Sequence, residues 1–289
     1  MKTTVSTAIA ALALVSATQL SAQEQEPPTG DPFAEDSVFD DNWISIGVGG
    51  VYSPSYDGSD DYVFTPIPIV QGRLGGIGID PRPAGLALDF LPDAESGVDI
   101  SAGISARIRN NRADRIKDEV VEQYGELDTA IEVGPTVGLS FPGLLNPFDS
   151  LTVSTDVLFD VAGAHSGFTV SPSVTYFTPL SRAAIASISL STNWVNDDYA
   201  EYYYSVPQIN FVQPGVALPA FDADGGFDRA GVNLLLGYDL DGDATNGGLA
   251  LIAFGGYSRL LGDAKETPFT SIRGDADQWS AALGIGYTF

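Results

Sequence analysis

Five of the 13 basic residues of this chain fall between positions 107 and 117: Arg107, Arg109, Arg112, Arg115 and Lys117. A guanidinium presents a planar fork that grips phosphate or carboxylate through two parallel hydrogen bonds. The four arginines are therefore candidates for contact with lipopolysaccharide phosphates or for an anion-attracting constriction; a loop balanced by Asp114, Asp118 and Glu119 is the plainer alternative. His165 is the one histidine, within Ala162-Gly163-Ala164-His165-Ser166-Gly167. A histidine beside Ser or Asp could serve as the base of an esterase or protease. No Gly-x-Ser-x-Gly elbow exists, however, and neighbouring strand residues point to opposite faces. It reads as a turn histidine. Asp239-Leu240-Asp241-Gly242-Asp243 opens like a calcium loop, but Ala244 and Ala250 stand at the sixth and twelfth positions, where Gly and Glu belong. That stretch reads as an Asp/Gly turn. Tyr199, Tyr202, Tyr203 and Tyr204 with Glu201 form either a sugar-stacking platform or, the plainer reading, an interfacial girdle or the core of a loop. With no cysteine, thiolate metal sites and disulfides are excluded. No catalytic residue, metal or cofactor is expected.

These residues must be positioned by strands. The chain ends Gln278-Trp279-Ser280-Ala281-Ala282-Leu283-Gly284-Ile285-Gly286-Tyr287-Thr288-Phe289. Every second side chain is apolar and the others are small or polar, which gives a strand one face of each kind. About ten residues tilted by about 40° cross an apolar layer of about 25 Å. Leu283, Ile285, Tyr287 and Phe289 have the form of the terminal assembly signal of outer-membrane barrels. The same alternation runs from Val98 to Ile108, Ile131 to Phe141, Leu151 to Val161, Phe168 to Tyr176, Ala186 to Trp194 and Ala230 to Tyr238. The polar face is Ser, Thr, Gly and Asp with almost no Lys, which suits a lumen better than a solvated sheet. Pro66 and Pro68 remove two ladder donors, so their strand should be bulged or border an irregular edge. Leu249 to Leu261 is apolar on both faces and has no legible orientation.

The N-terminus reads as a secretory leader, 1–22, with Lys2, an apolar core from Ala8 to Val15, and small residues before Ala22. Residues 23–42 are acidic and Pro-bearing, and are expected to form a flexible periplasmic segment. No later apolar run is long enough for a transmembrane helix, so an exported chain that spans a membrane must close into a barrel. The net charge of −25 excludes nucleic acid as a partner. Long links at 109–128, 195–227 and 262–277 alternate with short ones, as outer loops alternate with periplasmic turns. The expectation is an all-β fold: an antiparallel transmembrane β-barrel of about 12 strands over 43–289, in the bacterial outer membrane. Tyr199 to Val206 is a possible further extended piece.

Tyr52-Ser53-Pro54-Ser55-Tyr56-Asp57-Gly58-Ser59 before Pro66-Ile67-Pro68, Asp128 to Gly134, Asp197-Asp198-Tyr199 before Tyr202-Tyr203, and Tyr257-Ser258-Arg259-Leu260-Leu261-Gly262-Asp263-Ala264 read together. With Gln278 and the closing Tyr287-Thr288-Phe289, this set resembles the MipA/OmpV family of outer-membrane proteins. The resemblance implies a non-catalytic barrel acting as scaffold or structural protein in cell-envelope and peptidoglycan maintenance. Its implied partners are outer-membrane lipid and lipopolysaccharide, the barrel-assembly machinery, and a complex of murein hydrolase and peptidoglycan synthase. A narrow, porin-like diffusion channel for small solutes is the alternative, provided that loops such as 195–227 stay out of the lumen.

Overall fold

A computed structural model describes residues 37–94, 96–209 and 217–289. The expected leader and most of the acidic segment that follows it lie outside the described residues. Of that segment, 37–42 is seen: Val38–Asp40 makes one 3-10 turn capped by Ser37, and the Val38 N–H bonds the Thr245 carbonyl at 2.9 Å.

Twelve antiparallel strands close into a barrel. They are β1 (Trp43–Pro54), β2 (Tyr62–Leu74), β3 (Ile77–Arg82), β4 (Gly85–Asp89), β5 (Asp99–Arg109), β6 (Ala130–Pro142), β7 (Ser150–Asp160), β8 (Phe168–Pro179), β9 (Ala184–Val195), β10 (Gly226–Asp239), β11 (Gly248–Leu260) and β12 (Asp277–Thr288). Each pairs with its neighbours in sequence, and β12 closes on β1 through the register Ser45–Thr288 to Tyr52–Ala281. Ile44 and Phe289 exchange both backbone hydrogen bonds beyond it. This seam is lined with glycine for a steric reason: a Cβ on Gly47 would come within 2.5 Å of the Ile285 carbonyl oxygen.

The period of two places the apolar face outward. Ile104, Val137, Leu190 and Leu234 are all exposed, as are Leu283, Ile285, Tyr287 and Phe289. In β11, Leu249 and Leu251 point out, which settles the orientation that its sequence left open. Aromatic pairs stand at both rims of this apolar band. Phe159 lies 5.6 Å from Phe168, and Tyr257 4.8 Å from Trp279, towards the loop end. Tyr287 against Phe289 (4.6 Å) and Phe39 against Trp43 (4.7 Å) stand at the opposite end, where β1 starts and β12 finishes. Such girdles mark the two membrane interfaces. The inward face is a hydroxyl lattice: Ser154 bonds Ser173 at 2.9 Å, Thr175 bonds Ser189 at 2.8 Å, and Thr152 donates to Ser140 at 3.1 Å.

The wall has one low place. β2 and β3 pair only at Gly72–Ile79, Arg73–Gly78 and Leu74–Ile77. Continuing that register would set Val70 against Pro81 and Pro68 against Pro83. Because Ile44 faces β12, the alternation of the ladder turns the nitrogens of Val70, Pro68 and Pro66 towards β3. Proline has no N–H to give, so the ladder stops there, and the expected irregular edge is found. Arg115 caps part of it, its Nη1 donating to the Phe64 carbonyl at 3.1 Å.

Candidate functional site

The long loops meet at the outer end of the barrel and pack against one another there. Loop 196–225 carries α2 (Asp197–Tyr204), where the sequence suggested an extended piece. The helix forms because Asn196 caps it, its Oδ1 accepting from the Tyr199 N–H, while Asp197 and Asp198 face the positive end of the helix dipole. The same Oδ1 takes the Phe168 N–H at 2.8 Å, tying the helix start to β8. Helical spacing then puts Tyr199 and Tyr203 on one face, pointing into the barrel. Tyr199, Ala200, Tyr203 and Tyr204 are buried with Val195, Leu260 and Ala264 in one core. The Tyr run is thus a loop core. Next to it, the junction between α3 (Gly262–Glu266) and α4 (Pro268–Ser271) is Thr267, whose hydroxyl donates to the Tyr204 carbonyl at 2.6 Å. A second core joins Tyr56, Val206 and Phe269 to Val121 of α1 (Glu119–Glu122).

Beneath the helix lies a charged floor built on the strands. Glu132 of β6 is fully buried. It accepts from Arg107 Nε at 2.6 Å and from Arg109 Nε at 2.8 Å. Its third partner is His165, with Nε2 at 3.2 Å from Oε1. Arg107 also reaches Thr169 at 3.2 Å, and the Arg109 guanidinium lies 5.0 Å from the Tyr199 ring centroid, a cation–π distance. Across the lumen, Asp57 pairs with Arg229 at 2.7 Å and lies 3.9 Å from Arg109. Burial raises the Asp57 carboxyl, but Arg229 and Arg109 outweigh it and hold the group below the usual carboxylate range. Asp228, at a register shift in β10, accepts from Tyr204 at 2.7 Å and from Asn193 at 2.8 Å.

The arginine group is therefore divided. Arg107 and Arg109 turn inward and hold Glu132, since odd-numbered residues of β5 face the lumen; neither stands on an outer rim where lipopolysaccharide lies. Arg112 is buried on the Phe269 ring, 4.2 Å from its centroid. Arg115 alone of the four is largely open to solvent, beside Asp114 at 3.5 Å. His165 does lie in the turn between β7 and β8, but it is buried there. Its Nδ1 accepts the Gly167 N–H at 3.0 Å, which leaves Nε2 protonated to donate to Glu132. With both nitrogens committed, this ring has no lone pair for a nucleophile. In the turn 240–247, Asp239 Oδ1 accepts the N–H groups of Asp241, Gly242 and Asp243, so these acids organise their own backbone.

Glu132, Asp57, Asp228, Arg229 and Thr267 went unnoticed as functional candidates in the sequence. Glu132 and Asp57 lay within recognised stretches, and those stretches converge here. Gly58 N–H bonds Gln278 Oε1 at 3.2 Å, Gln278 Nε2 bonds the Ser59 carbonyl at 3.2 Å, and Asp275 N–H bonds the Gly58 carbonyl at 2.9 Å. Residues 46–289 match the family model described as MltA-interacting protein MipA.

The chain belongs to the MipA family. It is an outer-membrane barrel of that family. No curated protein matches it by sequence. Similar solved structures include an outer membrane channel from Pseudomonas putida F1, at TM-score 0.44 and 11% identity over 90% of this chain and 100% of that one. OmpT of Vibrio cholerae gives TM-score 0.39 at 7% identity, covering 86% of this chain and 97% of that one. The Pseudomonas putida toluene transporter TodX gives 0.35 at 9% identity, over 86% and 89%.

Proposed function

We propose that this MipA-family barrel is a non-catalytic scaffold of the cell envelope whose lumen is shut at the outer end by its own loop. The observation that carries the reading is α2 seated in the mouth, with Tyr199 and Tyr203 packed over the Glu132 floor. A channel needs loop 195–227 outside the lumen, whereas here that loop supplies the core of the outer end. The family description names an MltA-interacting protein, which favours a murein hydrolase, and with it a peptidoglycan synthase, as the partner. Such a partner meets the periplasmic turns 90–98, 143–149, 180–183 and 240–247. Outer-membrane lipid and lipopolysaccharide surround the wall, and the barrel-assembly machinery recognises the Leu283, Ile285, Tyr287 and Phe289 series. Residues 1–22 are removed as a leader, and 23–42 lead into the barrel from the periplasm. A photo-crosslinker at exposed Leu145 or Leu240 tests the scaffold role. Adducts with a murein enzyme are expected there and not from the outer residue Glu201; equal labelling at both ends, or none at the turns, would remove the scaffold reading.

A further inference from the structure

Above the plug, on the outer face, is an open cleft of about 540 Å³. Its aromatic walls are Tyr124, Tyr202, Phe221 and Phe269, and the acids Asp198, Glu201 and Asp222 stand at its rim. Arg112 lies at its floor. It is 5% exposed, yet among the described residues its Nε and Nη1 have no hydrogen-bond partner and it forms no ion pair. The nearby carboxylates are engaged elsewhere: Asp118 holds Arg273 at 2.7 Å, and Glu132 holds Arg107, Arg109 and His165. A further buried polar atom without a partner among the described residues, Tyr203 Oη, belongs to a tyrosine whose phenol lies close enough to act on the charge of Arg112. The backbone of Arg112 is also left-handed, with φ 56°, a conformation that side chains other than glycine seldom adopt. A buried guanidinium is normally matched by acceptors, because leaving its N–H groups unmade is costly. Strain and an unmet charge at one residue, facing a cleft of ligand size, are marks of a binding site.

We propose that this cleft binds a small zwitterion of the aromatic amino-acid type from outside the cell. Its carboxylate sits on Arg112, its ammonium meets Glu201 and Asp222, and its ring lies between Tyr202, Phe221 and Phe269. The choice of a zwitterion over a simple anion follows from charge. A chain of net −25 repels free anions, and three carboxylates ring the entrance. A ligand with its own cationic group crosses that rim without penalty and still presents an oxyanion to the fork at the floor. The site faces outward, so it stands whether or not the lumen conducts.

The test is isothermal titration of the full-length, detergent-folded protein with L-phenylalanine, beside phenethylamine, 3-phenylpropionate and inorganic phosphate. Saturable binding of L-phenylalanine is expected, tighter than that of the other three. Arg112→Met should weaken it at least tenfold, with Arg112→Lys intermediate. The double variant Glu201→Gln/Asp222→Asn changes exposed residues only; it should lose L-phenylalanine affinity and gain 3-phenylpropionate affinity. It keeps the test decisive should Arg112→Met lose the heat-modifiable migration of a folded barrel. No binding of L-phenylalanine, equal binding of phenethylamine or of either anion, or rim variants that bind like wild type would each overturn the proposal.

Discussion

Glu132 is the residue on which the outer half of the lumen is arranged. One buried carboxylate answers Arg107, Arg109 and His165. Removing one partner of a buried ionic cluster leaves uncompensated charge and costs about 3–5 kcal/mol. Glu132→Gln should therefore lower the temperature at which the barrel loses its heat-modifiable migration, whereas His165→Ala, which removes the hydrogen bond to the Glu132 carboxylate and the one accepted from the Gly167 N–H, should cost less, about 2 kcal/mol, and alter no hydrolysis. Thermal unfolding followed by gel shift, with an esterase and protease assay beside it, checks both. Two acids outside the strands set a pH limit. Asp57 is lowered by Arg229 and Arg109 against the opposing effect of burial, and Asp118 by its hydrogen bonds from Arg273 and from the α1 backbone, again against burial. A carboxyl lowered on folding stabilises fully above its unfolded value of about 3.9 and loses that contribution as pH falls through the lower folded value. The outer loops should hold at pH 5 and loosen only well below pH 4; hydrogen exchange of 110–125 and 262–276 measures this, and loosening already near pH 6 would contradict it. The alternation of the Val98 to Ile108 run puts Arg107 on the polar face, which is the lumen. What the sequence concealed was the partner, because Arg107 and Glu132 meet only through the β5–β6 register, and His165 reaches them only when its turn folds inward.

The elements were far more legible than the site, because a strand's period of two is written residue by residue while a loop's path is not. The seven alternating runs fall on β5 to β10 and β12, overhanging a strand by no more than one residue, within the usual uncertainty of an element's end. The Pro66 and Pro68 signal also translated directly into structure, as the unzipped β2–β3 edge. The Tyr run did not: Tyr is at home in strands, and although the Asn196 cap stands next to the helix in the sequence, the apolar cover the helix needs comes from the rest of the chain. Lipid exposure makes the wall testable. Val137→Arg should cost about 2–4 kcal/mol near the midplane, and Ser154→Arg, on the next strand but facing the lumen, should cost clearly less. Urea unfolding in bilayers gives the difference, and equal costs would contradict the orientation. Phe289 ends the closing strand, paired with Ile44. Its deletion removes burial of about 2–3 kcal/mol but should impair membrane insertion far more than that loss implies, if the last strand is read by the assembly machinery. Surface exposure at matched expression distinguishes the two effects; normal assembly would make the strand an ordinary one.

At the scale of the whole molecule, two halves of the lumen have different contents. The periplasmic half is lined from the strands alone, by Ser and Thr with the ion pairs Arg82–Asp156 (3.1 Å) and Arg73–Asp89 (3.9 Å) among them, and the outer half by strand-borne charges beneath tyrosines that a long loop brings in. Composition and hydropathy give the first kind of interior and are silent about the second, so closure of the mouth could not be read before the fold. That closure is the central claim, and conductance tests it most directly. Wild-type protein inserted into planar bilayers should give no steady openings, while a variant with residues 196–225 replaced by a short Gly-Ser link should open stable, ohmic pores in the same barrel. Steady openings of the wild type, equal in size to those of the loopless variant, would contradict it.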